Sequence, residues 1–88
     1  MRVKFHPGQT VVTAAAHELL SEEQMFAMLT FHLSGDWGEL CAEDKRANED
    51  ALKYGNRILS RYMVNDEPFY VITEHDRSVT TILRVSDY

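Results

Sequence analysis

The stretch "ITEHDRSVTT", Ile72 to Thr81, places Glu74, His75, Asp76 and Arg77 beside Ser78, Thr80 and Thr81, between two apolar runs. Two kinds of chemistry fit. Carboxylates beside a guanidinium can make charge-assisted hydrogen bonds to a partner, or Arg77 can neutralise an anionic substrate. The same residues also make a good polar turn, because Asp76 and Ser78 can bond local backbone groups and threonine suits strands. An acid paired with Arg77 would then fix the loop, although exposed ion pairs are individually weak. The expectation is a strand–turn–strand held by an internal ion pair. Glu74, Asp76 and Arg77 are its candidate partner-binding residues, and Thr80 and Thr81 form a structural polar cluster with Asp44 and Asn48.

"HLSGDWG" poses a similar choice. Gly35 and Gly38 permit backbone conformations other residues avoid, and Asp36 can cap the turn. Trp37, the only tryptophan, either plugs the core or, if exposed, anchors an interface with Asp36 beside it. His32 lies on an apolar helix face and reads as a hydrogen-bonded core histidine. Most enzyme templates fail. "HELLS" lacks the second histidine of H-E-x-x-H, and there is no phosphate-binding glycine loop or nucleophile elbow. His32, Asp36, Asp44 and Glu74 could converge on a metal only from distant positions. No metal, cofactor or catalytic residue is expected. Cys41, the single cysteine, excludes an internal disulfide, and its acidic neighbours disfavour a reactive thiolate.

The elements that must position these residues belong to one small domain, residues 1–88. A chain of 88 residues has room for one modest core. Its 44% hydrophobic and 26% charged residues are those of an ordinary globular protein. With no apolar run near the roughly 20 residues that span a bilayer and no signal-peptide pattern, cytoplasmic residence is expected, without membrane contact. The net charge of −5 disfavours direct nucleic-acid binding, which needs clustered Lys and Arg. It permits imitation of a phosphate backbone, but the interleaved charges of "AEDKRANEDALK" read more simply as a solvated helix face.

"VKFHPG" is expected to begin with a short strand that Pro7-Gly8 ends, and "QTVVTAAAHELL" to rise into a helix capped by Thr13. Ser21 and Gln24 fit a capping box for a second helix, which Gly35 stops. A third helix should run from Ala42 to Gly55, with Ala47, Ala51 and Leu52 inward, Asp44 and Asn48 beside that stripe, and Glu49 paired with Lys53 outside. The period then becomes two: Ile58, Ser60, Tyr62 and Val64 against Leu59, Arg61 and Met63. "NDEP" is a turn, and "FYVITE" and "VTTILRV" are further strands. The predicted fold is α+β, an antiparallel three-stranded meander covered on one face by two or three helices.

With "HLSGDWGEL", "EDKRANEDALKYGNRILSRY" and "ITEHDRSVTTIL" in this order, and Tyr88 last, the chain resembles a group of short bacterial proteins of plasmids, phages and other mobile elements. The resemblance covers Phe31 to Tyr88. It implies that Asp36, Trp37, Asp44, Asn48, Arg57, Glu74, Asp76, Arg77, Thr80 and Thr81 belong to one pattern, and it brings no activity with it. "LRVSDY" departs from the "LLP-E-Y"-like ending of similar proteins. Some of them are described in terms of type I restriction modification, for which this chain has neither the length nor a cofactor loop.

A small acidic chain resembling mobile-element cargo points to a binding protein. The expected role is an anti-defence inhibitor, anti-CRISPR or antirestriction, that occupies a nucleic-acid-binding or assembly surface of a host complex. The hairpin tip and the "GDWG" loop would make the contact. The alternative is a small metal-dependent or hydrolytic enzyme in which Asp36, Asp44, Asn48 and Glu74 converge with Arg77. A homodimer joined through an apolar sheet edge is the third reading.

Overall fold

A computed structural model of the chain describes residues 2–88. In chain order it contains β1 (Gln9–Val12), α1 (Ala14–Leu19), α2 (Glu22–Ser34), α3 (Ala42–Tyr54), β2 (Ile58–Val64), β3 (Glu67–Thr73), β4 (Val79–Arg84) and a short 3-10 turn, Val85–Asp87. Local signals set most of these bounds. Thr13 caps α1 by accepting from the Ala16 N–H at 3.3 Å. Ser21 and Gln24 form the reciprocal capping box of α2 at 2.9 and 3.0 Å. Gly35 and Gly55 end α2 and α3 in the left-handed conformation. Asn65 and Asp66, both at positive φ, make the two-residue turn between β2 and β3, which suits the twist of a hairpin.

The fold is α+β, with three helices and a four-stranded mixed sheet rather than a three-stranded meander. The antiparallel β2–β3–β4 meander is present, but β1 adds to β4 in parallel, giving the order β1-β4-β3-β2. The early strand therefore follows Pro7-Gly8 instead of preceding it, and "QTVV" is strand, not helix. Gly8 makes this course available. At φ +65 it passes so close to the β3–β4 turn that a Cβ would meet the Ser78 carbonyl oxygen at 2.3 Å. The next residue, Gln9, can then donate to that carbonyl at 3.0 Å. The β-branched Thr10, Val11 and Val12 continue along β4.

One sheet face meets α1 and α2. Ala16, Leu20 and Met28 pack there on Tyr62, Phe69, Val71 and Ile82. A second cluster joins Trp37, Ala51 and Ile58 at the end of the sheet. The alternation in β2 falls as its sequence predicts: Ile58, Ser60 and Tyr62 are buried, while Met63 is exposed.

The third helix is attached differently. Only Asn48 and Ala51 of α3 are buried, Leu52 is half-buried, and Ala47 faces solvent. Nor do Glu49 and Lys53 pair, because the Glu49 carboxylate instead accepts from the Trp37 indole at 2.8 Å. The helix lies against the outer edge of β2, and Asn48 makes the join. Its side-chain amide donates to the Leu59 carbonyl at 2.6 Å and accepts from the Leu59 N–H at 3.1 Å. One side chain thus replaces the strand that β2 lacks.

Asn48→Leu leaves the Leu59 N–H and C=O without partners, so it is expected to destabilise the fold by about 2 kcal/mol. Urea unfolding of this variant beside Asp44→Ala, one turn away and exposed, measures the effect. Unchanged midpoints for both would remove this edge pairing from the account of stability.

Candidate functional site

The hairpin residues are placed together, but they act inward. Arg77 adopts φ +60, a conformation uncommon for a residue with a Cβ. From there its guanidinium donates to the carbonyls of Asn56 at 2.6 Å, Ala51 at 3.0 Å and Glu74 at 3.2 Å, and it lies 5.7 Å from the centre of the Phe5 ring. Ala51 is in the last turn of α3, so Arg77 supplies positive charge and donors to the C-terminal end of that helix. The expected ion pair with Glu74 or Asp76 does not form; among the described residues the only ion pairs join Arg84 to Asp87 and Glu67. Asp76 accepts from the Ser78 N–H at 3.1 Å and its hydroxyl at 2.6 Å, and these bonds lower its pKa. Asp76 and His75 remain exposed at the tip, and Glu74 is half-buried.

The "GDWG" loop is likewise built inward. Trp37 is 4% exposed, so of its two expected fates it takes the core, and it offers no projecting anchor as a partner-binding residue. Its ring stacks near Phe5 and meets His32 edge-on. Asp36 accepts from the Gly38 N–H at 3.2 Å, and its carbonyl accepts from the Tyr62 hydroxyl at 2.5 Å. Burial raises the Tyr62 pKa above its ordinary value. After this turn the loop runs along β2: the Arg61 N–H donates to Trp37 at 3.1 Å, and the Glu39 N–H donates to Arg61 at 2.6 Å. Only glycine fits at position 38, where a Cβ would meet the Arg61 carbonyl oxygen at 2.1 Å.

Beneath both elements runs a chain of buried polar side chains. His32 Nδ1 lies 2.6 Å from the Ser60 hydroxyl and Nε2 lies 2.9 Å from that of Thr73. Thr73 lies 2.7 Å from Thr80, whose hydroxyl donates to the Pro7 carbonyl at 2.7 Å. That carbonyl can only accept, which fixes the direction of each bond back to Nε2, and with the ring kept neutral by burial Nδ1 is left as an acceptor. Thr80 donates to Pro7, Thr73 to Thr80, the Nε2–H of His32 to Thr73, and Ser60 to the Nδ1 lone pair. His32 is therefore the neutral Nε2–H tautomer, and its burial, with the Arg77 charge behind Phe5, lowers its pKa to about 3. Thr80 is in this chain; Thr81, on the opposite face of β4, is not.

The sets proposed for a metal or for catalysis do not assemble. His32 is enclosed, and Glu74 and Asp36 do not share a cavity with Asp44 and Asn48. Among the described residues no three His, Cys, Asp or Glu side chains are grouped to hold a metal.

What the structure opens instead are two clefts, one on either side of the Gly38–Leu40 segment. The outer cleft, about 400 Å³, lies between the start of α3 and the sheet face away from α1 and α2. Asp44 and Glu39 contribute carboxylates to it, Arg57 and Arg61 guanidiniums, and Leu59 and Tyr70 part of its floor. The inner groove, about 290 Å³ and more apolar, lies between α2 and the end of β2. It is lined by Ala27, Met28, Phe31, Tyr62 and Met63, with Glu39 at its rim. Glu39, Arg61, Tyr70, Phe31 and Met63 were not singled out by sequence reasoning. For Arg61 and Met63 the signal was the second face of the β2 alternation, and for Phe31 its place on α2 outside the core stripe; Glu39 and Tyr70 had none. Comparison with protein families, with curated proteins and with solved structures finds no match.

Two measurements test these roles. Arg77→Ala is expected to lower stability by roughly 1–3 kcal/mol, because it removes the charged donor shared by three carbonyls and leaves that of Asn56 without a partner, while Asp76→Ala stays within about 0.5 kcal/mol. Equal urea midpoints would refute the bracing role of Arg77. The second concerns pH. The unfolded chain protonates His32 near 6.5 and the folded chain only near 3, so its contribution is complete above 6.5 and is lost as pH falls toward 3. Between these values the wild type should lose up to about 1.4 kcal/mol per pH unit, a slope missing from His32→Gln. Parallel pH profiles would contradict the neutral, buried histidine.

Proposed function

We propose that this chain is a small acidic binding protein of the bacterial cytoplasm that inhibits a host defence complex, of the CRISPR or restriction kind, by occupying a nucleic-acid-binding or assembly surface. The observation that supports this reading most directly is the inner groove beside an open length of strand edge. Leu59 and Arg61 have their outward backbone groups paired by Asn48 and by the 37–39 loop. Met63, next in that alternation, has no such partner among the described residues. It is 48% exposed, as is Phe31 across the groove. Exposed apolar side chains grouped at a groove are a common basis for protein association.

Charge specifies the partner's chemistry. Glu39 stands at the groove, Glu22 and Glu23 are exposed at the start of α2, and the whole chain carries −5. A basic surface bearing an apolar residue, as a nucleic-acid-binding surface does, complements this arrangement. The hairpin tip contributes at most Asp76 and His75, since Arg77 is engaged by carbonyls. No helix is long and apolar enough to cross a membrane.

The test is phage plating on strains that each carry one CRISPR or restriction system, with the chain expressed. Wild type is expected to restore plating against at least one system, and Met63→Asp, verified as folded by its circular dichroism and urea midpoint, to lose that effect. Unchanged restriction by every system would refute the inhibitor reading. Equal rescue by the Met63 variant would move the contact away from the groove.

A further inference from the structure

The outer cleft holds charges of both signs that have no counterpart among the described residues. Arg61 is half-buried, yet among those residues its guanidinium has no hydrogen-bond acceptor and no carboxylate within ion-pair distance. Arg57 bonds only a neutral group, the Tyr88 hydroxyl, with the Tyr88 ring below its guanidinium. Glu39 and Asp44 line the same cleft, and their carboxylates are also without partners among the described residues. A surface in which opposite charges share one cavity without pairing is matched to a ligand that takes both.

Geometry narrows the ligand further. Arg57, just before β2, and Leu59 and Arg61 within it all line the cleft, so two flexible guanidiniums flank an apolar residue. Tyr70 is the cross-strand neighbour of Arg61, and its ring is held edge-on by Tyr88, with centroids 5.3 Å apart. The cleft thus offers two cations, an oriented aromatic ring and two carboxylate acceptors in about 400 Å³, within the range of small-molecule sites, which begins near 300 Å³. We propose that it binds a mononucleotide. The phosphate lies between Arg57 and Arg61, as guanidinium forks suit phosphate oxygens. The base packs on Tyr70 and Leu59, and Asp44 and Glu39 accept from sugar hydroxyls or base amino groups. The same carboxylates, in a chain of net charge −5, disfavour a nucleic-acid strand with its run of phosphates. This site shares only Glu39 with the inner groove, so variants at Arg61 and Tyr70 test it without altering Met63 or Phe31.

Titration of the full chain with AMP, GMP, CMP, UMP and inorganic phosphate, followed by amide NMR shifts and by calorimetry, tests the proposal. At least one nucleotide should bind saturably, shifting the amides of Leu59, Arg61 and Tyr70, and tenfold or more tighter than phosphate. Arg61→Gln should weaken that binding at least tenfold. Tyr70→Leu should weaken the nucleotide several-fold while leaving the phosphate affinity unchanged, with amide dispersion confirming that each variant is folded. Absence of nucleotide binding at millimolar concentration overturns the proposal. Phosphate binding as tightly as every nucleotide overturns the ligand class, and nucleotide binding indifferent to Arg61→Gln overturns the site.

Discussion

The outer edge of β2 has to be closed, and most of the molecule's arrangement follows from how this is done. An edge strand left open presents a row of N–H and C=O groups that favour pairing with other chains. Here no further strand is supplied. Asn48 pairs both backbone groups of Leu59, and the loop after Trp37 pairs those of Arg61. The first device fixes α3 against the sheet edge, and the second fixes the "GDWG" loop. Because a helix and a loop are bulkier than a strand and stand away from the sheet, clefts remain beside them. The outer cleft and the inner groove are thus geometric consequences of closing an edge with side chains and loop.

The same dependence explains why Arg77 and Trp37 point inward. A helix with two fully buried residues gains little from apolar contact, which contributes about 25 cal/mol per Å² buried. It is secured at three places by polar groups: Asn48 at its middle, Glu49 through the Trp37 indole, and the Ala51 carbonyl of its last turn through Arg77. Arg77 also bonds the Asn56 carbonyl, so the β3–β4 turn and the α3–β2 connection are tied into one unit. Phe5, between Arg77 and His32, carries that unit to the core.

The sequence made the local features legible and left the distant ones obscure. Ser21 with Gln24, Gly35, Gly55 and the alternation from Ile58 to Val64 each act on neighbours within a few positions, so their consequences can be written down directly. His32 as a bonded core histidine was also accessible, because an imidazole on an apolar stripe needs partners. β1 was not. Its four residues are mostly exposed and show no alternation, and its pairing partner lies some seventy positions away, set by Gly8 meeting Ser78. Asn48 was read as polar beside an apolar stripe, but its partner is a backbone, whose position no side-chain pattern records. Arg77 was expected to find a carboxylate in its own turn. It found carbonyls, because α3 ends beside it.

This has a consequence for reading function in chains of this size. A small domain buries a smaller share of its surface, so it secures elements with polar contacts where a larger one would use a wider core. Those contacts require particular residues, Asn, Arg, Trp and Asp, at particular positions, which is also what a catalytic site requires. A polar cluster flanked by glycines therefore distinguishes poorly between a brace and a site. What does distinguish them is whether the charged groups are satisfied once the chain has folded. Arg77 and Asp76 are engaged within the protein, whereas Arg61, Asp44 and Glu39 line one cleft without a side-chain partner among the described residues. Function is better sought among the second group, of which the sequence marked Asp44 alone, and which the closing of β2 brings together.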